Sequence, residues 1–224
     1  AIEALRKKFT KAEVNILTTQ RNKDVFFGNK NVDNVITLKL NPLSVLNFIF
    51  KNTRKYDLII DMEEYLNVSA IMSFFAGKKV VGYSHGSRAK LYTEKVRYNN
   101  KQHAVQTFLD LVRVLGIVCD TSKLPQLNFS KNDKNYVDKF LKNNKIQNND
   151  FVVCVAPGAA ESAKARMWPY DRYAELCDEI IAKHNAKIIF VGAGDEIELV
   201  ENIQKNIESK EKTINTAGKI SLSQ

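Results

Sequence analysis

The sequence predicts an α/β fold built on mostly parallel sheets. Three observations predict it. Short apolar, strand-like runs alternate with helix-like runs along the chain. The run Tyr56-Asp-Leu-Ile-Ile-Asp is of the fully buried type expected between two layers of helices. At 224 residues, 44% hydrophobic and 26% charged, the composition is that of an ordinary globular chain long enough to bury a core.

The elements are legible in order. Ala1 to Lys8 reads as a helix, Val14 to Thr18 as a strand, and Val35 to Leu38 as another. Pro42 starts a short apolar helix over Leu43 to Phe50, since proline suits a first helical turn. After the strand ending at Asp61, Tyr65 to Ala76 is a helix that Gly77 stops. Lys79 to Tyr83 is the next strand. The polar stretch from Ser84 to Asn100 reads as a long functional loop. Val105, Phe108, Leu109, Val112 and Leu115 recur at helical spacing, and Gly116 ends that helix.

Residues 120–150 read as the boundary between two units. Pro125 breaks the chain there, and six Asn lie between Ser130 and Asp150. A connecting helix still fits, capped by Ser130 and carrying Tyr136, Val137, Phe140 and Leu141 on one face. The second unit opens with the strand Phe151 to Ala156. Trp168-Pro169 opens a helix whose inner face is Tyr173, Leu176, Cys177, Ile180 and Ile181. Lys187 to Val191 is a strand, Ile197, Val200, Ile203 and Ile207 face inward on a helix, and Thr213-Ile-Asn is a last short strand.

Composition excludes several classes. Nine Gly and four Pro do not make a collagen-like or low-complexity chain. No apolar run approaches the ~18–20 residues of a membrane span. The three cysteines, Cys119, Cys154 and Cys177, have no metal-ligand spacing and read as buried, reduced thiols. The three His show neither HxH nor HxxxH spacing, so no zinc site is expected.

Charge is uneven. Residues 1–150 hold 25 Lys and Arg against 14 Asp and Glu, and residues 151–224 hold 9 against 11. A basic half beside a near-neutral half fits an anionic partner for the first half: nucleic acid, an anionic membrane surface or a phosphorylated substrate. A solvated lysine-rich surface fits equally well.

The strongest local signal is Ala156-Pro-Gly-Ala-Ala-Glu-Ser-Ala-Lys-Ala-Arg-Met-Trp-Pro, which joins a buried strand to a helix. Ligands of open α/β sheets bind at the carboxyl ends of strands. Gly158 allows close backbone approach, free N–H groups favour anions, and Lys164 and Arg166 suit a diphosphate. An ordinary surface loop with two basic residues fits the same string. Gly192-Ala-Gly-Asp-Glu is a second strand-end turn. It lacks the third glycine of a dinucleotide fingerprint, and Asp195 and Glu196 suit sugar hydroxyls better than phosphate, or simply cap a helix. Ala217-Gly-Lys-Ile-Ser is a third such turn, and all three could converge on one ligand. In the first half, the loop from Gly82 to Arg97 carries Arg88, Lys90, Lys95 and Arg97 against Glu94 alone. His85 reads as an acid/base or a surface residue. Glu63-Glu64 reads as a general-base cluster or a helix cap, and His103 as a helix start or a functional group.

With these residues in place, the chain resembles glycosyltransferase family 9, the ADP-heptose:lipopolysaccharide heptosyltransferase family. The resemblance rests on the opening helix and on Tyr56-Asp-Leu-Ile-Ile-Asp, Ala76-Gly-Lys-Lys-Val-Val-Gly-Tyr and the segment from His103 to Ile117. It continues through Pro157-Gly-Ala, Arg166-Met-Trp-Pro-Tyr-Asp-Arg-Tyr, Val191-Gly-Ala-Gly-Asp-Glu and Ala217-Gly-Lys-Ile-Ser-Leu, in that order.

The resemblance implies a GT-B-like architecture of two Rossmann-like domains facing across a cleft. The acceptor-side domain would be 1–148, including the connecting helix and lacking its first strand. The nucleotide-sugar domain would be 149–224 and incomplete. It implies a metal-independent, inverting transfer of a heptose or related sugar to a lipopolysaccharide-core-type or other glycan acceptor. No cofactor is expected; the donor is a co-substrate, ADP-linked. Pro157, Gly158 and Ala159 would line the donor site. Arg166 stands where the family usually has Lys on the donor phosphates, with Lys164 available to share the role. Glu196 would meet the ribose, and Gly218, Lys219 and Ile220 the base. Arg88, Lys90 and His103 fall on the acceptor side. The family's catalytic Asp is expected upstream of Ala1, and its Asp-x-Gly-Pro-x-His segment after Gln224. The expected partners are an acidic or phosphorylated glycolipid and, peripherally, the inner face of an anionic cytoplasmic membrane, with no nucleic acid. Two other classes fit less of the chain: a methyltransferase using Gly192-Ala-Gly for S-adenosylmethionine, and a basic nucleic-acid-binding module.

Overall fold

The computed structural model describes residues 1–119, 121 and 126–224. The chain divides into two units, Ala1–Asn128 and Phe129–Gln224. Pro125, expected to break the chain, lies outside the described residues. The division falls earlier than the 148/149 boundary expected from sequence. The turn that trails the connecting helix is tied to the rest of the second unit: Lys187 donates to the Lys145 carbonyl and to Asp150.

The first unit contains α1 (Ile2–Lys8), β1 (Asn15–Thr18), β2 (Asn34–Thr37), α2 (Pro42–Asn52), β3 (Tyr56–Ile60), α3 (Asn67–Ala76), β4 (Gly77–Tyr83), β5 (Glu94–Val96) and α4 (Ala104–Arg113). Every strand pairing is parallel, β1 with β2 in one sheet and β3-β4-β5 in another. Asn41 caps α2 by accepting from the Ser44 N–H at 2.9 Å, with Pro42 at the first helical position. Gly77 ends α3 and at once begins β4. Gly116, at φ 69, closes the segment after α4 as expected.

The stretch from Ser84 to Asn100 is not wholly a loop. It holds a 3-10 helix over Ser87–Leu91 and the three-residue strand β5. Glu-Lys-Val carries no apolar pattern, so β5 is invisible in sequence; its backbone pairing with β4 and the burial of Val96 create it. The crossover is too short for a full helix. Its interior is filled by the Tyr92 ring, which lies where a side chain on Gly82 would stand, and by Arg88.

The second unit contains α5 (Lys131–Asn143), β6 (Val152–Val155), α6 (Tyr170–His184), β7 (Lys187–Phe190), α7 (Ile197–Asn206) and β8 (Thr213–Asn215). Ser130 and Asp133 form a reciprocal capping box at the start of α5. The sheet is parallel, in the order β6-β7-β8. Helices α6 and α7 cover one face through Ala174, Cys177, Ile181, Val200 and Ile203. Two sequence expectations fail here. Residues alternate across a strand, so Val153 and Val155 meet the helices while Cys154 points to the other face and is exposed. Leu176, assigned to the inner face of α6, lies at its edge and is 42% exposed; Ala174 takes the inner position. Cys177 is buried, and burial pushes its thiol up to about 11. Cys119 is half-buried. No helix among the described residues is long and apolar enough to cross a membrane.

Candidate functional site

Parallel order places the three strand-end turns of the second unit side by side at one sheet edge. Hydrogen bonds stitch them together. Val191 N–H donates to Val155 O at 2.9 Å, Thr216 N–H to Phe190 O at 2.9 Å, and Gly218 N–H to Gly192 O at 2.9 Å. The three turns therefore adjoin one another at the carboxyl end of the sheet.

Glu196 sits at the centre. It closes a 3-10 turn, Gly194–Glu196, and Oε2 accepts from the Ala193 N–H at 2.6 Å. A Cβ on Gly158 would overlap the Glu196 carboxylate, and a Cβ on Gly192 would stand 2.7 Å from Oε2. A side chain at either glycine would displace the Glu196 carboxylate. Gly218, at φ 68, adopts the left-handed region, and its Cα side packs on Ile197 and Gly194.

The remaining donor-side residues fall around this edge. Pro157 is fully buried and Ala159 half-buried. Lys164 and Arg166 are exposed on a 3-10 helix, Glu161–Arg166, directly after the first turn. Arg166 has no ion-pair partner among the described residues. Lys219 folds back, its Nζ donating to Asn215 O at 3.0 Å, and Ile220 is half-buried. Sequence reasoning missed three supports. Thr216 is buried and its hydroxyl donates to Phe190 O at 2.6 Å. Asn215 Oδ1 accepts from the Ala217 N–H at 2.9 Å. Trp168 meets Tyr173 edge to face at 5.3 Å. Thr and Asn beside a turn glycine were the available signal.

The first unit corrects one assignment outright. Arg88, expected on an exposed basic loop, is 3% exposed. Its Nη2 bonds Asp61 Oδ2 at 3.0 Å and Ser69 Oγ at 3.1 Å, and Nε donates to Tyr92 Oη at 2.8 Å. Tyr92 in turn donates to Asp61 at 2.7 Å. The carboxylate ending β3 demands a cation when buried, and Arg88 supplies it. Lys90 is exposed, as are Lys95 and Arg97. His103 is the cap of α4, its Nδ1 accepting from the Val105 N–H at 3.2 Å.

A polar and aromatic cluster gathers at the carboxyl ends of β3, β4 and β5. Glu63 Oε1 accepts from the N–H groups of Glu64, Tyr65 and Leu66, so it ties the turn before α3 and, contrary to expectation, does not cap the helix, which starts at Asn67 with no side-chain cap. Glu64 Oε2 accepts from Tyr98 Oη at 2.9 Å. His85 Nε2 meets the Glu64 carbonyl at 2.7 Å, which fixes the proton on Nε2. The His85 ring packs against Tyr83 and Tyr98. Hydrogen bonds to Tyr65 and Glu64 raise the Tyr98 phenol above its ordinary range.

Known proteins share this fold. The family model described as "Glycosyltransferase family 9 (heptosyltransferase)" matches residues 51–224. A glycosyl transferase family 9 structure from Veillonella parvula DSM 2008 is 19% identical with a TM-score of 0.82, over 99% of this chain and 65% of that one. E. coli ADP-heptose lps heptosyltransferase II is 18% identical with a TM-score of 0.73, over 99% and 68%. E. coli heptosyltransferase WaaC with ADP is 17% identical with a TM-score of 0.67, over 99% and 69%. The chain thus spans about two-thirds of the length of these structures, and at such identities they show the fold, which is that expected of a GT-B-like α/β protein. Comparison with curated proteins gives no match.

Proposed function

Because the chain belongs to glycosyltransferase family 9, we propose that it serves an enzyme moving a heptose or related sugar from an ADP-linked donor to a glycan acceptor. The observation that carries this reading is that three strand-end turns lie side by side in the second unit, two of them meeting at the Glu196 carboxylate and the third bonded to the second. The E. coli structure named above holds ADP; here the same nucleotide would lie along that edge. The Glu196 carboxylate has lone pairs left for a ribose diol beyond the one bonded to Ala193. Backbone from Gly218 to Ile220 would flank the base.

Arg166, with Lys164 sharing the role, would neutralise the leaving diphosphate. Protein cations do there what a bound divalent ion does in other transferases. The absence of any Asp-x-Asp in the sequence fits that mechanism. A base on the acceptor side would deprotonate the attacking hydroxyl, which displaces the diphosphate from the opposite face and inverts the anomeric centre. The acceptor would lie against the first unit. Lys90, Lys95 and Arg97 remain exposed to favour an acidic or phosphorylated glycolipid, such as a lipopolysaccharide core, at the inner face of the cytoplasmic membrane. Arg88 is spent on Asp61 and takes no part in that contact.

The test is titration calorimetry of ADP into the full-length protein and its Arg166→Ala variant. A charge-assisted phosphate contact is worth about 1.5–3 kcal/mol, so affinity should fall roughly ten- to a hundredfold. Equal affinities would remove Arg166 from the donor site.

A further inference from the structure

The outer face of α2 is apolar and open. Leu43 is 81% exposed, Leu46 51% and Phe50 80%. Their spacing of three and four residues puts them on one stripe of the helix. The opposite stripe, Val45, Phe48 and Ile49, already packs into the core with Met72 and Ala76. The open stripe is not used in packing among the described residues, and three large apolar side chains on one short helix mark an interaction surface.

Charge identifies the kind of partner. From Val35 to Tyr56 the chain contains Lys39, Lys51, Arg54 and Lys55 and no Asp or Glu. All four cations are exposed, and none has an ion-pair partner among the described residues. Arg54 lies 5.9 Å from the Phe74 ring centre on neighbouring α3, where Phe74 and Phe75 are also partly open. An apolar stripe on a helix of 11 residues, with cations on it and just before and after it in the sequence, has the chemistry of a helix lying in a bilayer interface. At about 1.5 Å per residue it is far too short to span one. A protein groove would match the apolar stripe alone, whereas an anionic bilayer matches both the stripe and the cations.

We propose that the α2 face bearing Leu43, Leu46 and Phe50 docks the protein on an anionic phospholipid surface, with Lys39, Lys51 and Lys55 meeting the headgroups. This deepens the membrane contact of the proposed function by naming the face that makes it, and vesicle binding is measured apart from ADP affinity. It also moves membrane contact away from the loop around Arg88, whose charge is buried.

The experiment is flotation of the full-length protein with vesicles of phosphatidylcholine alone or mixed with phosphatidylglycerol, across a salt series. Binding is expected to the mixed vesicles at low salt and to weaken as salt rises. Leu43→Ser with Phe50→Ser should lower it at least about tenfold. Lys51→Gln with Lys55→Gln should lower it several-fold per lysine and flatten the salt dependence. All four side chains are exposed, so an unchanged thermal melt will show that the variants fold. Absence of wild-type binding to the mixed vesicles would overturn the proposal, as would equal binding by the serine variant. A shift from dimer to monomer in the serine variant, with lipid binding unchanged, would overturn it in favour of a second copy of the chain.

Discussion

The Glu196 carboxylate fills the space that a side chain on Gly158 would need, so two turns from different strands share one position. Neither residue type is unusual for a strand-end loop. Their relationship fixes the first turn against the second and aims the carboxylate along the sheet edge.

Gly158→Ala should therefore act through Glu196. The displaced atoms are the far end of a flexible side chain, so the fold survives and Glu196 swings out, losing its bond to Ala193 N–H. The expected stability loss is about 1 kcal/mol. Affinity for ADP should fall as it does in Glu196→Ala, and the double variant should be no worse than either single one. Additive losses in calorimetry would show that the two positions act separately.

Removing Arg88 should destabilise the first unit far more than removing Lys90. Arg88→Ala leaves Asp61 as an uncompensated charge, with both side chains at most 4% exposed. Breaking such a pair costs about 3–5 kcal/mol. Lys90→Ala, at an exposed position, should stay within about 0.5 kcal/mol. Urea unfolding of the two variants measures this, and equal midpoints would return Arg88 to the surface.

Acid should weaken the joints made by Asp33 and Asp133. Bonds from the Val14 N–H and the Arg6 guanidinium hold the Asp33 carboxyl below its ordinary value. Bonds from the Ser130 hydroxyl and N–H do the same for Asp133. A carboxylate with a lowered folded pKa stabilises fully above the unfolded value of about 3.9 and loses that contribution as pH falls through the folded value. In thermal melts taken from about pH 6 downward, stability below about pH 4 should drop less steeply for Asp33→Asn than for the parent. Parallel curves would mean that Asp33 is ionised alike in both states.

The sequence by itself determined the α/β class, the parallel sheets, the helix start at Pro42, the cap at Ser130, and the three strand-end turns around Pro157, Gly192 and Gly218. These rest on local chemistry: apolar period, proline and glycine punctuation, and side-chain oxygens next to helix starts. Tertiary structure decided what local chemistry leaves open. It made a strand of Glu94–Val96 through pairing alone and buried Arg88 because Asp61 needed a counter-charge. It also joined the turn after α5 to the rest of the second unit through Lys187. Cys154 and Leu176 read as buried because apolarity says that a side chain can be covered, not that anything covers it. The same limit hid the open stripe of α2, since a helix apolar on both sides looks the same in sequence whether its second side meets protein or not. Burial, pairing and charge compensation depend on residues far apart in the chain, and only the fold brings those residues together.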